Sequence, residues 1–296
     1  MLDQAATLRK IAQAREHAFA DRRPAGQRLR VVAVTSGKGG VGKTNVVANL
    51  AIALAQTGER VTIFDADLSL ANVDVLLGLS PQFHLGHVLL GNRELGEVMI
   101  EGPHGVRLLP GSSGLEELGE LTAVQRAILT SSLREFELSN DFILIDTPAG
   151  IGSNVTTILR AADEVIVVTT PEPTAVIDAY ATIKVAARHA PTQRLHLIIN
   201  EVHNARDAQQ IFEQLAGVAE RFLDRELAYL GMIVDDQSVP RAVKQQEPFI
   251  KAFPEAPASR CLRIIAKQLQ SPARLSASEA TEETASFWGR LFGWKE

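Results

Sequence analysis

Residues 37–44 read GKGGVGKT, which fits the spacing G-x-x-x-x-G-K-[ST]. An apolar run, LRVVAVTS, leads into them, and an apolar stretch with helical character, TNVVANLAIALAQTG, opens on their last residue. This arrangement restricts the fold more than any other feature of the chain. A strand must deliver the loop, glycines must turn it, and a helix must begin where it ends. Backbone N–H groups and the helix N-terminus then converge on an anion. Gly37, Gly39, Gly40, Val41 and Gly42 form the cradle, and Lys43 is placed to neutralise β- and γ-phosphate oxygens. Thr44 offers its hydroxyl to Mg2+, and Asn45 follows it into the helix. Lys38 is left over: one loop lysine is enough for one bound phosphate group.

Strand-like runs recur along the chain at Leu29–Ser36, Val61–Asp65, Val106–Pro110, Phe142–Asp146, Glu164–Thr169, Leu195–Asn200 and Leu227–Ile233, separated by helical stretches. Several show little polar alternation, as strands covered on both faces do. The fold expected is α/β, a doubly wound, mostly parallel sheet flanked by helices. Four parts are expected: an arm at 1–27, an α/β body at 28–270, a small polar linker at 271–286 and a short amphipathic helix at 287–296. The formal net charge is −5, but residues 1–30 hold seven Arg/Lys against three Asp/Glu, which leaves −9 on the remainder. A basic arm therefore precedes an acidic body, and direct nucleic-acid binding is not expected. The single cysteine, Cys261, allows neither an intrachain disulfide nor a cluster site, which fits a reducing compartment. No apolar run reaches the ~20 residues needed to span a bilayer, and MLDQAATLRK lacks a signal-peptide core. The expectation is a cytosolic chain that reaches a membrane only peripherally.

Carboxylates sit where phosphate chemistry wants them. The second strand ends in Asp65-Ala66-Asp67, and FILID ends in Asp146, followed by TPAGIG. Ligands of open α/β sheets bind beyond the carboxyl ends of the strands, so these three aspartates are expected in one crevice. Asp146 can hold Mg2+ through water, and either Asp65 or Asp67 can hold an attacking water. Gly150 and Gly152 give the following loop freedom to respond to a phosphate.

Lys38 makes the motif more particular. GKGGVGKT resembles the deviant Walker A motif with its early signature lysine, and the resemblance continues through DADLSLANVDVLLGL, DTPAG, EVIVVTTPEPTAV and GMIVDDQSVPRAV, over roughly residues 30–265. The chain is similar to the MinD/ParA group of dimerising ATPases, a SIMIBI-type branch of the P-loop NTPases. The resemblance implies a two-fold sandwich holding two ATP molecules with Mg2+, in which Lys38 reaches the partner's phosphates. It makes Asp67 the residue that positions or activates the attacking water, Asp65 an acidic residue on the Mg2+ side and Asp146 the Walker-B aspartate. It also assigns adenine reading to Asn200, with the loop at Asp235 and Asp236 bordering the base.

Within that group, DQAATLR at residues 3–9 resembles the D-Q-A-x-x-L-R element of the flagellar-number regulators FlhG/FleN. GKTN and LANVDVLLGL point the same way. The resemblance implies that Asp3, Gln4, Leu8 and Arg9 contact an FlhF-type GTPase and stimulate it. Further partners implied are a FleQ/FlrA-type transcription activator, flagellar C-ring components and a second copy of the chain. The competing readings are a MinD-like division-site selector, a ParA-like DNA-partition ATPase and a nucleotide-gated module without turnover. The final segment, FWGRLFGWKE, carries both tryptophans of the chain. At about 100° per residue, Phe287, Trp288, Leu291, Phe292 and Trp294 fall on one side. The expectation is a helix lying in an anionic membrane interface.

Overall fold

The computed structural model describes residues 28–67, 72–111, 123–271 and 286–292. The arm with Asp3, Gln4, Leu8 and Arg9 lies outside these, as does Trp294. Among the described residues there are eight strands: β1 Arg30–Thr35, β2 Val61–Asp65, β3 Ile100–Glu101, β4 Arg107–Pro110, β5 Phe142–Asp146, β6 Glu164–Thr169, β7 Arg194–Val202 and β8 Leu227–Val234. They form one sheet in the order β3-β4-β2-β5-β1-β6-β7-β8. Every neighbouring pair is parallel except β3 and β4. The expected doubly wound sheet is present. The two-residue edge strand β3 was not expected, because so short a run carries no readable periodicity.

The order places the switch in strand progression at β1. The chain leaves β1 for β2 on one side, and the connection from β5 to β6 passes over it. β1, β2, β5 and β6 are buried along almost their whole length, so their apolar residues are covered from both faces. On one face lies the helix Lys43–Ala55. Its buried residues run nearly all round its axis, because it lies between the sheet and the helix Pro257–Gln270. Leu50, Ile52 and Leu54 are each fully buried there, worth about 1.5–3 kcal/mol apiece. That packing fixes the direction in which the loop before the helix points.

The other face is closed in part by the last helix, Phe287–Phe292. Trp288 is 1% exposed. Its ring lies 5.5 Å from Phe64, 6.0 Å from Phe136, 4.7 Å from Phe287 and 5.6 Å from Phe292. The backbone N–H of Trp288 donates to Glu137 at 3.2 Å. Arg290 donates to the Ala161 carbonyl at 2.8 Å and to Asp163 at 2.8 Å. In this structure the helix expected at a membrane interface lies on the body instead: Phe287, Trp288 and Leu291 are buried and Phe292 is half-buried there. An aromatic stripe suited to a lipid interface suits an apolar trough equally well, and Phe64 and Phe136 supply the trough. Two features keep this docking from being ideal. Among the described residues Trp288 Nε1 is buried without a hydrogen-bond partner, which carries a desolvation cost. Burial also pushes the Glu137 carboxyl up to about 7, against the pull of the Trp288 and Phe287 N–H groups and of Arg290. Among the described residues, no helix is long and apolar enough to cross a membrane.

Candidate functional site

The loop after β1 turns through two left-handed glycines, Gly40 at φ 83° and Gly42 at φ 82°. Gly42 is also the N-cap of the helix Lys43–Ala55 and has no side chain with which to cap it. The N–H groups of the first turn are therefore left to another acceptor. Ser36 Oγ donates to the Lys38 carbonyl at 2.9 Å and pins the start of the loop. Gly37 lies against the helix Pro173–His189: a Cβ there would meet the Asp178 carbonyl oxygen at 2.2 Å.

Three carboxylates and one ammonium meet beneath this loop. Asp65 and Asp146 are register partners across β2 and β5 and end side by side. The Lys43 ammonium pairs with Asp146, which is 1% exposed. Asp67 extends the group, its backbone N–H donating to Asp65 Oδ1 at 3.1 Å. Burial and then the charge of Asp146 push Asp65 up to about 7. Burial also raises Asp146, against the charge and hydrogen bond of Lys43 and the hydroxyl of Thr44. The acidic side chains thus outnumber the one lysine, and an added cation would relieve that imbalance. Among the described residues no three His, Cys, Asp or Glu side chains converge as a protein-only metal site. The donor set suits Mg2+ all the same, since that ion keeps several waters and takes one or two protein oxygens beside phosphate oxygens. Thr44 would hold it directly, with Asp65 and Asp146 around it.

Lys38 sits apart from this group. Its ammonium donates to both carboxylate oxygens of Glu172, at 2.7 and 2.8 Å, and to Thr174 Oγ1 at 3.1 Å. The Lys38 pairing, chiefly its hydrogen bond, holds the Glu172 carboxyl below the ordinary carboxylate range. Sequence reading missed Glu172 and Thr174; the only signal was a proline two residues into PEPT, which marks the start of a helix. Asn200 ends the unbroken buried run of β7 that begins at Leu197, and donates from Nδ2 to the Val41 carbonyl at 3.0 Å. Asp235 lies at the same end of the sheet, half-exposed, near enough to raise the Glu201 carboxyl after burial has done so. Asp236 is used structurally, accepting from the N–H groups of Ser238 at 2.9 Å and Ala258 at 3.0 Å. Asn45 accepts from the Asn49 amide at 2.8 Å through its backbone carbonyl.

Residues 28–270 match the ParA family model, described as NUBPL iron-transfer P-loop NTPase. The chain belongs to the ParA/MinD family of P-loop ATPases. Antiactivator FleN of Pseudomonas aeruginosa is 44% identical over 243 residues, covering 82% of this chain and 87% of that one. Flagellum site-determining protein YlxH of Helicobacter pylori is 37% identical over 264 residues, covering 88% and 89%. Among solved structures, MinD of Pyrococcus horikoshii complexed with Mg-ADP superimposes with a TM-score of 0.64 at 26% identity, covering 82% of this chain and 96% of that one. The iron-transfer chemistry named in that family description has no cysteine pair to rest on here, because Cys261 is the sole cysteine.

The structure therefore brings Gly37, Gly39, Gly40, Val41, Gly42, Lys43, Thr44, Asp65, Asp67, Asp146 and Asn200 to one end of the sheet. Lys38 is on the loop's outer side, bound to Glu172.

Proposed function

We propose that this ATPase is a nucleotide-switched regulator of flagellar number or placement, binding ATP with Mg2+ at the loop 37–44 and hydrolysing it as a homodimer. The observation that carries the reading is the division of labour between the two loop lysines. Lys43 is buried beside Asp146, at the bottom of its own site, whereas Lys38 is half-exposed and, among the described residues, held by Glu172 and Thr174 on the surface. A cation placed outward adds little to its own chain's phosphates and is available to those of a second copy. Asp67 is the residue we assign to the attacking water. The similarity to FleN and YlxH supports the flagellar role, as does the DQAATLR element at 3–9. By the same reading, Asp3, Gln4, Leu8 and Arg9 stimulate an FlhF-type GTPase, and a FleQ/FlrA-type activator and C-ring components are further partners.

Membrane residence belongs to the same proposal. The helix Phe287–Phe292 exchanges its place on the body for the cytoplasmic face of an anionic membrane when ATP holds two chains together. One such tail is marginal against its ordering cost, and two tails on one dimer gain through effective concentration. The test is co-sedimentation with anionic vesicles in ATP and in ADP, for the native chain and for Lys38→Ala. Binding only in ATP, lost in the variant, is expected. Equal binding in both nucleotides, or by the variant, overturns the switch. A peptide of residues 1–20 that leaves the FlhF-type GTPase unstimulated would favour the MinD-like division reading instead.

A further inference from the structure

We infer that Asn200 positions the phosphate loop as well as facing the base, so that one side-chain amide joins the two ends of the nucleotide site. This rests on the reading of Asn200 as the base-facing residue. By the period-two alternation of a strand, Asn200 shares a face with Ile198. That is the face on which Val41 and the helix Lys43–Ala55 pack. The pairing of β7 with β8 slips between Ile199 and Val202, and Glu201 takes a left-handed φ of 58°. The irregularity ends the regular ladder at Ile199, just before Asn200, and returns Val202 to the core, fully buried. Bulges of this kind re-aim side chains beside active sites, and a left-handed non-glycine residue persists only where its surroundings hold it.

The aim of that amide is specific. Its Nδ2 lies 3.0 Å from the Val41 carbonyl oxygen, two residues before the site lysine. A Cβ added to Gly42 would stand 2.4 Å from the same nitrogen, so loop and side chain are fitted to each other. In a trans peptide the C=O and the following N–H point in opposite directions. Holding the Val41 oxygen on Asn200 therefore turns the Gly42 N–H the other way, toward the inside of the loop. An asparagine amide has two N–H donors and one acceptor oxygen. With one N–H given to Val41, the second N–H and the oxygen remain as the pair that matches the N7 and amino edge of adenine. A base bound there orients the amide that orients the loop.

The experiment uses inorganic tripolyphosphate with Mg2+, which has no base, beside ATP, each read by displacement of bound ADP from the full-length chain. Asn200→Ala and the isosteric Asn200→Asp are compared with the native chain. Loss of one neutral hydrogen bond predicts tripolyphosphate affinity lower by about threefold to tenfold, with a larger fall for ATP. In Asn200→Asp the affinity for tripolyphosphate should recover as the pH is lowered relative to the native chain, because a protonated carboxyl regains a donor for Val41. Should Asn200→Ala fail to fold, Asn200→Asp alone carries both readouts. Tripolyphosphate affinity unchanged while ATP affinity falls overturns the positioning role and leaves Asn200 as a base reader. If neither affinity changes, both roles are wrong.

Discussion

Trp288→Ala separates a detachable tail from an integral part of the core. Trp288 is 1% exposed, Phe287 2% and Leu291 8%. Burying three such side chains releases roughly 5–9 kcal/mol at 1.5–3 each. Ordering residues 286–292 costs roughly 7–14 kcal/mol at 1–2 per residue. The two sums lie within a few kcal/mol of each other, so docking is close to balanced. Removing the Trp288 ring takes away about 3–5 kcal/mol, a shift of roughly two to four powers of ten in the docked-to-free ratio. Limited tryptic cleavage after Arg290 reads that ratio, because Arg290 is held by Ala161 and Asp163 when the helix is docked. In Trp288→Ala the helix should be almost wholly undocked, so release of the tail fragment should rise to the rate of an unprotected site, and the body should still melt as one cooperative unit. If cleavage stays slow while the thermal midpoint of the whole chain drops by the full amount, the helix is a fixed part of the core. The idea that it can leave for a membrane would then fail.

Docking should also depend on pH through Glu137, whose pKa rises from 4.5 to about 7 chiefly by burial. A group raised in the docked state binds a proton on docking, so its contribution is fully present below about 4.5 and is lost as pH rises through about 7. Tryptophan quenching by acrylamide should therefore increase between about pH 5 and pH 8 in the native chain and stay flat in Glu137→Gln. Lys43→Ala should abolish nucleotide binding and cost about 3–5 kcal/mol, because it leaves Asp146 buried without its cation; calorimetric melting and ATP titration check both. Lys38→Ala should leave the melting temperature and ATP binding in place and lower only the concentration-dependent part of the ATPase rate. Gly37→Ala should weaken ATP binding with both lysines intact, since its Cβ must displace the loop from the Asp178 carbonyl.

The parts legible in the sequence were those set by local pattern. Glycine spacing located the loop, and apolar runs located seven of the eight strands to within a residue or two. Carboxylates at strand ends located Asp65 and Asp146, because a parallel sheet brings the ends of neighbouring strands together whatever the loops between them do. Pairings that depend on distant segments meeting were not legible. Glu172 lies 134 residues from Lys38, and Asn200 lies 159 residues from Val41; no local signal ties either pair. The tail shows the limit most clearly. Its aromatic face was readable from spacing alone, but what covers that face was not, because a lipid interface and the Phe64–Phe136 trough make the same demand on it. Both readings hold together if the helix uses one face for two surfaces in turn. A docking free energy near zero, a Trp288 Nε1 without a partner among the described residues and a buried Glu137 with a raised pKa are what such an exchange requires. Optimising any of them would fix the helix on the body.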